Sequence, residues 1–307
     1  FLYFIGGFTR TWQSFAVMQL AAQRFSPATH PAAIAGQLPV FVALHGLLGA
    51  RRNWQSVATA LSSDPGASVG RAGMLRPIEV HTVDMRNHGD SPHATPHSLP
   101  SMADDIDALL DGLREGADGS PRPVVLAGHS MGGVAAAYAV RRRALRRGAN
   151  NVGVSALCLV DSAPAPRPGS FRTMAAIVTR LGAAEFFVGC ATFRDVRERV
   201  RTALGSWGTP PMVQYFASNA VETSGGAFAW RTNMPALVAS LEHGDLLWER
   251  HVVDDGAPSE QHAPCRFVAT HSCFAADSPY YTPEAVSATR RHFPRVHVDT
   301  VPRGGHF

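Results

Sequence analysis

The chain has 307 residues, 45% hydrophobic and 17% charged, which excludes a disordered or collagen-like polymer and leaves room for one large α/β domain or two small ones. A formal net charge of +4 and a pI near 9.2 are mild, and the 28 basic residues, all arginine, are scattered, not interleaved with aromatics on one face, which argues against a nucleic-acid partner. No apolar run approaches the roughly 18 residues of a membrane span.

From the start of the chain, residues 1–35 hold no Asp or Glu, the first acid being Asp64, but do hold Arg10, Arg24 and several Ser and Thr. That is transit-peptide chemistry. Residues 1–35 are read as an N-terminal extension carrying a targeting remnant and a first strand over 16–24, which points to a mitochondrial location with the cytoplasm as the alternative; the apolar opening Phe1 to Phe8 reads equally as the remnant of a secretory apolar region. Apolar, β-rich runs then recur at 39–44, 77–83, 123–127, 155–160, 265–270 and 295–301, short and continuous as strands buried on both faces should be. Helical patterns separate them. Residues 101–115 open on a Ser-x-x-Asp box (Ser101, Asp104) and set Met102, Ile106, Leu109, Leu110 and Leu113 on one stripe. Thr282-Pro283-Glu284 starts another helix with a cap, a proline at the first position and an early acid. Strand, helix, strand in repetition predicts a mostly parallel sheet covered by helices on both faces.

Two stretches interrupt that rhythm. Between 165 and 264 helical segments such as 170–181 and 193–204 replace the strands, and they are read as a helical cap inserted into a core made of 36–164 and 265–307. Helices added at the carboxyl edge of a parallel sheet would cover its ligand crevice. The second is the cluster Arg141, Arg142, Arg143, Arg146 and Arg147 before Gly148, read as the solvated, dipole-complementing end of an Ala-rich helix with a Gly C-cap. The four cysteines, Cys158, Cys190, Cys265 and Cys273, show no C-x-x-C pair. Cys158 and Cys265 are placed in strands as small buried hydrophobes, as in a reducing compartment. The 14 histidines show no H-E-x-x-H spacing, so no metal is expected.

The sharpest chemical signal is Gly128-His129-Ser130-Met131-Gly132, a G-x-S-x-G directly after the strand at 123–127 and directly before the Ala-rich helix. In that setting a tight turn lifts the serine hydroxyl clear of the sheet, and the helix N-terminus adds partial positive charge where an oxyanion would form. A serine needs a base and an orienting acid. His306, after the last strand in Pro302-Arg303-Gly304-Gly305-His306, is the expected base. Two aspartates at strand ends compete for the acid: Asp277, in Ala276-Asp277-Ser278-Pro279, is preferred, and Asp161, in Asp161-Ser162-Ala163-Pro164, is the alternative. The oxyanion donors are expected to be the backbone N–H groups of Met131 and of Leu47 in His45-Gly46-Leu47-Leu48-Gly49.

These residues give the chain the look of the α/β-hydrolase superfamily. It resembles most closely the branch containing the mitochondrial α/β-hydrolase-domain-containing protein 11, its fungal relatives and short bacterial acyl esterases. The resemblance runs from about residue 15 to 307 and rests on His45-Gly46-Leu47-Leu48-Gly49 with Arg52-Asn53-Trp54, on Asp84-Met85-Arg86-Asn87-His88-Gly89-Asp90-Ser91-Pro92, on the serine turn and on Asp161-Ser162-Ala163-Pro164. Trp230-Arg231-Thr232-Asn233 and Asp277-Ser278-Pro279-Tyr280 match more weakly. It implies an α/β-hydrolase fold and a cofactor-free serine hydrolase of small-molecule esters or thioesters, some fungal members also moving acetyl groups onto alcohols. Acyl transfer or peptidase action on the same residues is the first alternative, and a non-catalytic ligand-binding protein of this fold the second. Val134 departs from a basic residue common at that place. Many relatives carry Asn at the place of Asp277, and their acid duty falls to the place of Asp161. Relatives also continue past His306 into a final helix, so both ends of this chain, Phe1 and Phe307, are expected to be cut.

Overall fold

The computed structural model describes residues 18–27, 36–63, 78–116, 118–165, 170–252, 263–302 and 306. In chain order the core elements are β1 (Ala22–Phe25), β2 (Val40–Leu44), α1 (Gln55–Ser62), β3 (Glu79–Val83), α2 (Leu99–Leu113), β4 (Val124–His129), α3 (Met131–Arg147) and β5 (Ala156–Val160). After an insertion come β8 (Ala269–Ala275), α9 (Pro283–His292) and β9 (Val296–Val301). The seven strands form one sheet in the order β1-β3-β2-β4-β5-β8-β9, all parallel except the edge strand β1, which runs antiparallel to β3. The direction of winding reverses at β2 and β4, which pair from Val40↔Val124 to Leu44↔Gly128, and the turns leaving these two strands carry His45 and Ser130. Ligand crevices of open α/β sheets form at such a reversal, outside the carboxyl ends of the strands.

The central strands are continuously apolar because helices cover both faces. Val40, Val42, Leu44, Val124, Leu126, Leu157 and Leu159 are buried, and they share one cluster with Ile106 and Leu110 of α2 and Val134 and Val140 of α3. The helix predicted to start at Ser101 starts at Leu99 instead, with Ser98 as its cap accepting from the Ser101 amide at 3.3 Å. Pro100 fits because the first turn needs no donor there, and Asp104 is occupied across the helix interface by Arg142.

That interface corrects a second expectation. The arginine cluster at the end of α3 is not simply solvated. Arg142 meets Asp104 and Asp107 at 2.8 Å, Arg143 meets Asp107 at 3.1 Å and Asp111 at 2.7 Å, and Arg147 meets Asp111 at 2.8 Å. Asp104, Asp107 and Asp111 face α3 because they recur three and four residues apart on α2. Arg143 is 1% exposed and also donates to the Val152 carbonyl at 2.8 Å. Replacing it with Ala removes the cation from a buried network, and we expect a loss of about 3 kcal/mol in urea unfolding, against under about 0.5 kcal/mol for the exposed Arg146→Ala. Equal losses from the two would contradict this ranking. Gly148 does serve as the C-cap, at φ 83°.

The strand expected at 265–270 lies at Ala269–Ala275, and Cys265 sits in a buried turn before it. A continuous apolar run led to the earlier placement. The true strand alternates, burying Thr270, Ser272 and Phe274 while Ala269 and His271 face outward, and its polar residues hide it. Cys158 lies in β5 as expected. The first strand is shorter than its predicted span, and residues 16 and 17 of that span, like 1–17 and 28–35 of the targeting reading, lie outside the described residues.

Between β5 and β8 the chain leaves the sheet for α4 (Ser170–Leu181), α5 (Phe193–Leu204), α6 (Pro210–Ala217), α7 (Met234–His243) and α8 (Trp248–His251). The first two coincide with the predicted segments. A hairpin, β6 (Ala220–Glu222) with β7 (Phe228–Trp230), is an addition too short for periodicity to show. Hydrogen bonds seat the insertion on the carboxyl edge of the sheet: Asn233 N–H donates to the Asn87 carbonyl at 2.9 Å, and Asn233 Nδ2 donates to Asn87 Oδ1 at 3.0 Å. No helix among the described residues is long and apolar enough to cross a membrane.

Candidate active site

Ser130 stands between β4 and α3 at φ 50° and ψ −117°, a backbone region that non-glycine residues rarely occupy. Neighbouring backbone holds it there. Ser130 N–H donates to the Val160 carbonyl at 3.1 Å, and its own carbonyl accepts from Val134 N–H at 3.1 Å and Ser162 Oγ at 3.0 Å. The turn is this tight only because Gly132 has no side chain: a Cβ there would lie 2.5 Å from the His45 carbonyl oxygen.

His306 comes back over this turn from beyond β9. Its Nε2 lies 2.8 Å from Ser130 Oγ, and its Nδ1 is hydrogen-bonded to Asp161 Oδ2. Asp161 leaves the end of β5 at φ 46°, its amide anchored to the Cys273 carbonyl at 2.8 Å. Its Oδ1 accepts from Ala275 N–H at 3.1 Å and its Oδ2 also accepts from Ser278 Oγ at 2.6 Å. Burial alone would raise this carboxyl, but the hydrogen bonds from His306, Ser278 and Ala275 outweigh it and hold it below the ordinary carboxylate range. The acid beside His306 is therefore Asp161, and the preferred candidate Asp277 is not part of the arrangement. Asp277 lies exposed on the turn that follows β8, while the next residue, Ser278, is buried and turned inward onto Asp161.

Two further contacts went unread in the sequence. His129, the variable residue of the serine turn, points Nε2 at the backbone carbonyl of His306 at 2.9 Å, and its ring lies 4.8 Å from the His306 ring. Burial, then the neighbouring His306 charge, push His129 down to about 4, so it stays neutral and donates this bond. Tyr280 also packs against the imidazole, ring centres 4.2 Å apart. Ser278 and Tyr280 belong to the weakly matching stretch at 277–280, whose aspartate alone carries an obvious chemical signal in the sequence.

Leu47 and Met131, the expected oxyanion donors, line one cleft with Ser130, His306, Tyr280 and the insertion residues Phe171, Met174 and Leu246. Neither backbone N–H donates to any described residue. The cleft has about 20 Å³ of free volume, room for about one water. A much larger groove of about 690 Å³ along α9 holds Ser287 with Arg290 and Arg291 but no histidine. The hydroxyl, the imidazole, the carboxylate and two unspent amides are the parts required for nucleophilic acyl transfer. Among the described residues no group of three or more His, Cys, Asp or Glu is arranged to hold a metal ion.

Known proteins share this arrangement of elements. Residues 40–307 match the model of the Alpha/beta hydrolase family. The chain is 32% identical over 273 residues to the sn-1-specific diacylglycerol lipase ABHD11 of Mus musculus, covering 88% of this chain and 76% of that protein. It is 33% identical over 95 residues to a probable alcohol acetyltransferase of Saccharomyces cerevisiae, covering 31% of this chain and 24% of that one. A solved marine microorganism esterase superposes with a TM-score of 0.70 at 21% identity, covering 94% of this chain and 93% of its own. The length of the family match and the identity to the mouse lipase establish that the chain belongs to the alpha/beta hydrolase family.

Proposed function

We propose that this protein is a serine hydrolase that cleaves carboxylic ester or thioester bonds through an acyl-enzyme. The observation that carries the reading is the hydrogen-bonded line from Ser130 Oγ through the His306 ring to Asp161. Ser130 Oγ attacks the acyl carbonyl while His306 Nε2 takes its proton, and the oxyanion accepts from the Leu47 and Met131 amides. Collapse expels the alcohol or thiol, which receives the proton from His306. Water, activated by the same nitrogen, then releases the acid. Asp161 keeps the proton on Nδ1 and stabilises the imidazolium, without itself taking up a proton.

Among the described residues the cleft wall carries no Asp, Glu or Arg, which supports an uncharged acyl group. The name of the mouse relative, a diacylglycerol lipase, favours a neutral acylglycerol among such esters. Met174 on α4 lines this narrow cleft beside Ser130, and Met174→Ala is expected to shift p-nitrophenyl ester preference from butyrate toward octanoate. An unchanged chain-length profile would place the acyl group elsewhere. Transfer to an alcohol differs only in the acceptor, and the yeast acetyltransferase likeness spans too little of the chain to favour it over hydrolysis. The acid-free residues 1–35 and the mitochondrial branch the chain resembles support a mitochondrial location, tested by import of the coding sequence into isolated mitochondria. Hydrolysis of p-nitrophenyl butyrate that disappears in Ser130→Ala tests the central reading; full activity in that variant would end it.

A further inference from the structure

The turn after β2 must present one amide to the oxyanion, and its remaining polar groups are engaged in a way that aims that amide. In the Gly46–Leu47 peptide the carbonyl accepts from Gly49 N–H at 3.0 Å and from His45 Nδ1 at 2.7 Å. The carbonyl and N–H of a trans peptide point in opposite directions, so fixing the Gly46 oxygen turns the Leu47 N–H the other way. In the Leu47–Leu48 peptide both ends are fixed. Its carbonyl accepts from Tyr215 Oη at 3.0 Å, and its N–H donates to His88 Nε2 at 3.1 Å. The Leu48 carbonyl accepts from Asn219 Nδ2 at 2.5 Å. These contacts hold Leu48 at φ 57°, a strained value for a leucine.

The partners come from two separate parts of the chain. His88 belongs to the Arg86-Asn87-His88-Gly89 stretch of the core, to which the acyl-transfer chemistry assigns nothing. It donates from Nδ1 to the Arg86 carbonyl at 3.0 Å, leaving Nε2 as the acceptor. Burial, then the neighbouring His45, lower His88 to about 3, so this acceptor persists at any working pH. Tyr215 belongs to α6 of the insertion. Room for its hydroxyl exists because residue 49 is glycine: a Cβ there would lie 2.8 Å from Tyr215 Oη.

We propose that Tyr215 and His88 are positioning residues that together set the Leu47 amide of the oxyanion hole, so that the insertion must be seated on this turn for acyl transfer to run. The inference rests on the serine hydrolase reading above. It makes the insertion part of the catalytic apparatus as well as a cover, with Tyr215 as the link, acting through the Leu47 carbonyl it holds.

Tyr215→Phe removes only the hydroxyl, and kcat for p-nitrophenyl butyrate is expected to fall about tenfold with KM changed by less than about twofold. Binding of butylboronic acid, whose anionic tetrahedral adduct on a serine places a boronate oxygen in the oxyanion hole, should weaken by the same factor, while inhibition by butyrate stays constant. His88→Leu should lose about a hundredfold in kcat, and His88→Gln, whose Oε1 can replace the Nε2 acceptor, should recover part of it. If His88→Leu does not fold, Tyr215→Phe decides alone. Wild-type kcat and boronate affinity in Tyr215→Phe, a loss confined to KM, or a loss of kcat without weaker boronate binding would each overturn the proposal. Activity surviving in Ser130→Ala would instead refute the underlying reading, whatever Tyr215 does.

Discussion

Asp161→Asn is expected to lower kcat for p-nitrophenyl butyrate by about 10⁴, whereas Asp277→Asn should leave it within about twofold. An asparagine at 161 keeps the shape of the carboxylate but can present its amide N–H to His306 Nδ1. That would select the tautomer with the proton on Nε2, which cannot accept the Ser130 proton. The negative charge that stabilises the imidazolium is lost as well. Asp277 is exposed and reaches none of these atoms, so its amide changes only solvated surface. Because Asp161 also accepts from Ser278 and Ala275, the near-UV circular dichroism of Asp161→Asn must match the parent for the kinetic loss to count. Equal, small losses from the two substitutions would remove Asp161 from its role.

Acid should unfold this protein unusually early. His45 and His129 are each lowered to about 4, His88 to about 3, and His97 well below its ordinary value of 6.5, in every case first because burial disfavours the charged ring. Their hydrogen bonds fit neutral rings: His45 Nε2 accepts from Met85 N–H at 2.9 Å, and His88 Nε2 accepts from the Leu48 amide. In the unfolded chain all four take up protons below about pH 6.5, while in the folded protein His45 and His129 refuse them down to about pH 4, His88 down to about pH 3, and His97 well below its ordinary value. The stability tied to these rings is therefore complete above pH 6.5 and is lost as the pH falls toward 4. Each group contributes a slope of about 1.4 kcal/mol per pH unit in that window, so four together approach about 5 kcal/mol per unit. Against a typical total of about 5–15 kcal/mol, this places the unfolding midpoint at about pH 5. His97 Nε2 is buried with no hydrogen-bond partner among the described residues, so His97→Leu should reduce the slope by one proton's share at little cost in neutral stability. Circular dichroism between pH 7 and 3 checks both, and a native spectrum persisting at pH 3.5 would contradict them.

Much of this arrangement could be read from the chain because periodicity and local turn chemistry act over a few residues. The buried strands announce themselves as apolar runs, α4 and α5 by their stripes, and Ser130 by a turn that needs glycine on both sides. His306 follows from chain order. What the sequence hides is phase and distance. Asp161 and Asp277 both follow strands, and choosing between them depends on a one-residue rotation that buries Ser278 and exposes Asp277. Reading β8 four residues early compounded this, because a buried turn holding Cys265 and Val268 is more apolar than the half-covered strand after it. The pairing of Arg142, Arg143 and Arg147 with α2 brings together residues 32 to 38 positions apart, visible only once the two helices are known to touch. Tyr215 lies 168 residues from the carbonyl it holds, a contact no local pattern could suggest.

The most direct test is covalent. Incubation with a fluorophosphonate followed by digestion and mass spectrometry should place a single adduct on the Ser130 peptide, formed rapidly in the parent and abolished in His306→Ala. An adduct on another serine, or undiminished labelling of Ser130 when His306 is removed, would contradict the acyl-transfer site described above.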